Sequence, residues 1–283
     1  MLFRKKRNID SLFYRKIYNL NSSYFKKESM DKPYLKKYCK ISKFTVWIVN
    51  GKYIRNNLDE EFTNFGQHYR FSFIPINEFW IDKEYDGGGE EKFYIDHLLV
   101  EHRLMSKGIS YIDALIIADK TELRERSKSS ILLNEMKKKF KNKEIFKLIH
   151  KSLWKKYSIN GLRVWIIRGE LVRDRLFIDF TEGGHDKVYP FIPDGEIWIE
   201  DDLNPNERKF VLLHELHERN LMMKMKTGID IKNGFSKLNK KYLHIYASAH
   251  NSASNLEYYC RHHLNYLDKK INIELNKIKN AKV

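Results

Sequence analysis

Hydrophobic and polar positions alternate over residues 44–55, FTVWIVNGKYIR. β-Branched and aromatic residues lie on both sides of Asn50-Gly51, which predicts a β-hairpin turning at that dipeptide. The same text returns 118 residues later as LRVWIIRGELVR, from Leu162. Without gaps, Val46-Trp47-Ile48, Gly51, Arg55, Phe62-Thr63, Gly66, Phe73-Ile74-Pro75, Glu78 and Trp80-Ile81 recur as Val164-Trp165-Ile166, Gly169, Arg173, Phe180-Thr181, Gly184, Phe191-Ile192-Pro193, Glu196 and Trp198-Ile199. A repeat this long predicts two copies of a domain rather than a solenoid. Further antiparallel strands are expected around Phe73-Ile74-Pro75 and Glu78–Asp82, and around Phe191-Ile192-Pro193 and Glu196–Glu200. Near Phe93 and Phe210 the period changes from two residues to that of a helix. The expected fold class is α+β: two tandem homologous domains, each a β-hairpin and antiparallel sheet followed by packed helices.

The helix expected over residues 210–222, FVLLHELHERNLM, carries the candidate chemistry. His214 and Glu218 are one turn apart, so an imidazole nitrogen and a carboxylate oxygen can converge on one cation, with Glu215 beside them as a possible base. The pattern is HExxE. A third ligand is needed for a catalytic zinc, and YASAHNSASNLE supplies His250, two turns from Glu257 on the same helix face. Glu257 and His217 are auxiliary candidates, Glu257 as a fourth ligand or as the acceptor that orients a histidine ring. The carboxylate ligand makes the site hospitable to zinc and also to harder divalent cations such as manganese or magnesium. The competing account is a charged amphipathic helix whose His and Glu are simply solvated.

The two copies differ where this chemistry lies. At an offset of 117, His97 and Glu101 fall on His214 and Glu218; at 135, after an 18-residue insertion in the second copy, Tyr111, Ala114, Ala118 and Glu122 fall on Tyr246, Ala249, Ala253 and Glu257. Leu98 stands in the place of Glu215 and Leu115 in the place of His250. The first copy therefore reads as degenerate, with His97, Glu101 and Glu122 as its remnant. The shared His and Glu also admit a purely structural hydrogen-bonded pair. His185, in a Gly-Gly turn, is within conceivable reach of the site, although a surface turn histidine is the commoner case.

Charge divides the chain further. The formal net charge is +16, of which residues 1–43 carry +10 and residues 123–159 carry +9. The expected organisation is a basic N-terminal arm (1–43), the degenerate copy (44–122), a basic helical connector (123–159) with Phe146, Ile149, Leu153 and Trp154 in helical register, the second copy (160–262) and a C-terminal helical tail (263–283). Arg4, Lys5, Lys6, Arg7, Lys26, Lys27, Lys36 and Lys37, interleaved with aromatics, are the candidate contacts to RNA or DNA. Compositional drift toward lysine would give the same surface without a partner. No apolar run approaches the eighteen residues of a membrane span. Two cysteines without a CxxC give neither a disulfide framework nor a cysteine zinc site, and fit an intracellular, reducing compartment. The basic start lacks a secretory apolar core, while its arginines leave organellar import open.

With HExxE at His214–Glu218, His250 downstream, and FTEGGHDKVYPFIPDGEIWIEDD ahead of them, the second copy resembles a zincin-like metallopeptidase domain, more closely a small uncharacterised domain of phage and bacterial proteins. The resemblance covers about residues 162–260 and, weakened, 44–122. It implies a metal-dependent hydrolase of peptidase type, with zinc or another divalent cation on His214, Glu218 and His250, Glu215 as base, and a strand such as Glu196–Glu200 as a substrate edge. The alternative is a non-catalytic structural or interaction subunit of a nucleic-acid-containing assembly, a ribonucleoprotein or virion, that uses the basic extensions.

Overall fold

A computed structural model describes residues 33–129, 142–224 and 240–280. It is α+β, with two similar sheet-plus-helix halves. In the first, strands β1 (Tyr34–Ile41) and β2 (Phe44–Val49) precede helix α1 (Gly51–Asn57), strands β3 (Phe65–Gln67) and β4 (Glu78–Asp82), and helices α2 (Glu91–Met105) and α3 (Tyr111–Lys128). The second runs through α4 (Asn142–Ile149), β5 (His150–Leu153), β6 (Arg163–Ile167), α5 (Gly169–Arg175), β7 (Gly183–His185), β8 (Glu196–Glu200), α6 (Glu207–Lys224), α7 (Lys240–His262) and α8 (Leu267–Asn280). The sheets have the orders β1-β2-β4-β3 and β5-β6-β8-β7. Each is mixed: the middle pair is parallel and the outer pairs antiparallel.

The hairpin expected at Asn50-Gly51 is not there. Asn50 caps α1, its side chain accepting a hydrogen bond from the Tyr53 amide at 3.2 Å. Gly51 serves close approach instead of a turn: its amide donates to Asp82 Oδ1 at 3.1 Å, and a Cβ would lie 1.8 Å from Asp82 Oδ2. Gly169 repeats this, with Glu200 2.0 Å from the same imagined atom. A β-strand running into a helix returns the chain parallel to itself, as β2 and β4 do. The true hairpin lies one strand earlier, where β1 and β2 meet at Ser42, whose φ is 54°. Lys36 and Lys37, assigned to the arm, are therefore exposed residues of β1. Likewise Leu153 belongs to β5 and Trp154 follows it, so the connector is not helical throughout.

Strand β8 is internal, bonded to β6 and β7, which corrects its expected role as a substrate edge. On the side of α6 the sheet ends at the three-residue β7. Val164, Ile166, Ile197 and Ile199 form one core cluster with Phe210, Leu213 and Leu216 of α6. The segment expected as a tail contributes to it: Ile271, Leu275 and Ile278 of α8 are buried in that cluster. Full burial of such a side chain is worth about 1.5–3 kcal/mol.

Of the described residues, 33–129, 142–145 and 170–179 form one compact unit, here the N-terminal unit; 146–169, 180–224 and 240–280 form the C-terminal unit. The segment 170–179 thus leaves the repeat to which its sequence belongs. Within the N-terminal unit Arg173 donates to both Glu90 oxygens, at 2.9 and 2.5 Å, and Arg126 bonds Glu90 at 2.7 Å and Asp174 at 3.0 Å. Burial would raise the Glu90 pKa, but Arg173 and then Arg126 outweigh it and hold it at about 2. A pKa lowered on folding contributes stability that is complete above the ordinary value of 4.5 and is lost as pH falls through the folded value. Glu90→Gln should therefore cost about 3–5 kcal/mol at neutral pH. It should also flatten the stability loss between about pH 4.5 and 2, read from urea denaturation across that range. An unchanged acid limb would contradict the assignment.

Candidate metal centre

The site is built on α6 and α7, which pack along each other. Ala249 and Ala253 are fully buried on α7, and small side chains there bring the helices close. His214 Nε2, His250 Nδ1 and Glu218 Oε2 form a triangle, with His214 to His250 3.2 Å, His250 to Glu218 2.8 Å and His214 to Glu218 3.5 Å. A tetrahedral cation with bonds of about 2.0–2.1 Å separates neighbouring ligand atoms by about 3.3 Å, so the triangle has the size that such an ion needs. Its donor types, two imidazoles and one carboxylate, suit zinc. Glu218 is nearly enclosed, whereas the His214 and His250 side chains keep 12% and 18% exposure, so the triangle opens to solvent on the histidine side.

Behind the triangle runs a buried charge relay. His214 Nδ1 meets Glu257 Oε2 at 3.0 Å; Glu257 Oε1 accepts from Arg261 Nε at 2.9 Å and is ion-paired with its Nη2 at 2.7 Å; and Arg261 reaches Glu207 at 2.8 Å while lying 4.4 Å from the centre of the Phe210 ring. The carboxylate accepts a hydrogen bond from His214 Nδ1–H and so leaves Nε2 as the lone-pair donor, the arrangement usual behind a metal-binding histidine. Burial opposes charge on Glu257, but Arg261 and His214 outweigh it and bring its pKa to about 2. Burial likewise disfavours a charged His214, yet Glu218 and Glu257 raise its pKa well above the ordinary value. Without a cation the pocket thus attracts positive charge as a proton.

Glu215 shares a second group with His185 and Glu218, their donor atoms all within 4.8 Å of one another. Burial pushes its carboxyl up to about 7, against the pull of His185 and with Glu218 adding to the rise. A carboxyl that exchanges its proton near neutrality has the acidity wanted of a general base.

His185, set aside above as a surface turn histidine, is instead wholly buried at the end of β7, with Nε2 2.9 Å from Glu218 Oε1. His217, an auxiliary candidate, points elsewhere. Its Nδ1 meets Glu274 of α8 at 2.9 Å and its Nε2 meets Ser252 of α7 at 3.0 Å. Those distances resemble a nucleophile chain, but Ser252 lies inside α7, where backbone amides are spent on the helix and leave no oxyanion donors. We read it as a clamp joining three helices.

The N-terminal unit keeps the relay and lacks the triangle. His97 Nδ1 meets Glu122 at 3.0 Å, Arg126 donates to Glu122 at 2.9 Å and is ion-paired with Glu90 at 2.7 Å, and its guanidinium lies 4.7 Å from the Phe93 ring centre, matching His214, Glu257, Arg261, Glu207 and Phe210 one by one. Glu101 is 3.5 Å from His97, but Leu115, Leu98 and Gln67 replace His250, Glu215 and His185. Arg261 and Glu207, not among the candidates above, leave a signal in the sequence: both copies carry this Arg and this Glu.

Comparison with protein-family models, with curated proteins and with solved structures gives no match. The site's meaning rests on its own geometry and on the internal copy. Of the nucleic-acid candidates, Lys36 and Lys37 lie exposed on β1, and Arg4, Lys5, Lys6, Arg7, Lys26 and Lys27 lie outside the described residues.

Proposed function

We propose that the C-terminal unit is a metal-dependent hydrolase of peptidase type, holding zinc or a similar divalent cation on His214, Glu218 and His250, and that the N-terminal unit is its copy without the metal. The observation that carries this reading is the pattern of differences between the copies. Relay residues that support a histidine are kept in both, while the third ligand and the base are kept in one. If the His and Glu residues served packing alone, there would be no reason for the losses to gather at the ligand triangle.

The bound cation would supply Lewis acidity and a hydrolytic nucleophile at neutral pH. The chain's own part is divided among four residues. Glu257 holds the Nδ1 proton of His214, so the ring keeps one orientation and one tautomer. Glu218 and His250 complete a three-ligand set that leaves one side open for substrate. Glu215 accepts the proton from the attacking group and returns it to the leaving amine, which its near-neutral acidity suits. Glu215→Gln should keep one equivalent of zinc and lower peptide hydrolysis by about 10²–10⁴-fold. Zinc content by mass spectrometry and turnover of a mixed peptide library read the two effects separately. Full activity in that variant would overturn the role of Glu215.

A second reading, a basic interaction subunit of a nucleic-acid-containing assembly, is favoured by the charge of +16 and by the exposed lysines of β1. Deleting residues 1–43 would remove β1, so the truncation that tests it is 1–32, which carry a net +6. That deletion should weaken binding to RNA or DNA and flatten its salt dependence. Full-length protein without salt-dependent binding would leave the lysines to composition.

A further inference from the structure

His185 is the largest departure from what a reading of the helices alone would place at the site, and its hydrogen bonds decide its role. Its Nδ1 accepts the Lys187 backbone amide at 3.1 Å. A nitrogen that accepts an N–H has its lone pair occupied and carries no proton, so in the neutral ring the proton sits on Nε2. Nε2 faces Glu218 Oε1 at 2.9 Å and must donate to it. A protonated nitrogen cannot bind a metal, and the other nitrogen is taken.

The N-terminal unit supplies an independent witness in Gln67, which stands at the equivalent position at the end of β3. Gln67 Nε2 donates to Glu101 Oε1 at 2.8 Å, and its Oε1 accepts the Tyr69 backbone amide at 2.7 Å. Gln67 and His185 therefore make the same two bonds, one accepted from the residue two positions on and one donated to the helix carboxylate. Glutamine, a poor zinc ligand, does in one copy what histidine does in the other. Strand pairing fixes both in the same register, Gln67 opposite Phe79 and His185 opposite Ile197.

We propose that His185 is a positioning residue, which by donating to Glu218 Oε1 leaves Oε2 alone to face His214 and His250 and so makes Glu218 a one-oxygen ligand in a three-ligand set. The inference rests on the metal reading above. It explains why Glu218, with both carboxylate oxygens in a pocket of imidazoles, has only Oε2 in the triangle, and it keeps the fourth direction clear. It adds that the fully buried imidazole of His185, although hydrogen-bonded to Glu218, never enters the coordination sphere.

The test uses the full chain, labelled with ¹⁵N at histidine and loaded with ¹¹³Cd. The expected result is scalar coupling of cadmium to two imidazoles, lost one at a time in His214→Ala and His250→Ala, with none to His185. His185→Gln, which writes the N-terminal unit's residue into the C-terminal one, should bind zinc within about threefold of the unaltered protein, and His185→Leu should bind it about 10–100-fold more weakly, as loss of a ligand-orienting partner does. A cadmium coupling to His185, or a His185→Gln variant as poor at binding as His250→Ala, would overturn the proposal. Should the unaltered protein bind neither metal, the hydrolase reading fails. The metal-free ¹⁵N shifts then still judge His185: a bare Nδ1 with a proton on Nε2 upholds its donor role, and the opposite tautomer ends it.

Discussion

A buried arginine held between two carboxylates is the interaction on which the rest of the architecture leans. In the C-terminal unit Arg261 joins Glu207 at the start of α6 to Glu257 on α7; in the N-terminal unit Arg126 joins Glu90, just before α2, to Glu122 on α3. Removing one member of such a set leaves a charge without water or partner, which costs several kcal/mol, so the set persists or is lost as a whole. Both copies have kept it. Its outer carboxylate ends on a histidine in each, His214 or His97, and thereby holds an imidazole rigidly between two helices.

A supported histidine is only a platform. In the C-terminal unit a second imidazole comes from α7 and a carboxylate from the next turn of α6, with His185 on the far oxygen of that carboxylate. In the N-terminal unit the equivalent positions are Leu115 and Leu98, both buried: Leu98 fully, Leu115 to 6% exposure. Gln67 donates to Glu101 as His185 does to Glu218. The chain thus contains two units that share the relay and the fold and differ at the positions of His250, Glu215 and His185.

Much of this was legible in the sequence. Hydrophobic periodicity and the repeat at 118 residues located β2, β4, β6, β8, the long helices and the doubling, because the buried faces of both copies demand the same residues, whereas Phe73-Ile74-Pro75 and Phe191-Ile192-Pro193, expected as strands, lie in turns. His214 and Glu218 could be grouped since i, i+4 spacing is local geometry, and His250 joins them because a third ligand is needed and it shares a helix face with Glu257. Three things were hidden for physical reasons. Asn50-Gly51 has the chemistry of a hairpin turn, but its glycine answers to Asp82, 31 residues on, a contact that no local rule contains. His185 looked like a surface residue because the burial of a short edge strand depends on the helix packed over it. Glu196–Glu200, expected as a substrate edge, lies inside the sheet, since the order β5-β6-β8-β7 follows from a parallel crossover and not from sequence order.

The central claim is that three side chains of the C-terminal unit hold one cation and that the N-terminal unit holds none. Zinc equivalents per chain, measured after dialysis against a weak chelator, test it most directly when the protein is compared with a His250→Leu variant that copies the N-terminal unit's own residue into the site. The account predicts one equivalent in the unaltered chain and none in the variant, with both folded alike by circular dichroism. Zero equivalents in the unaltered chain, or one retained in the variant, would contradict it.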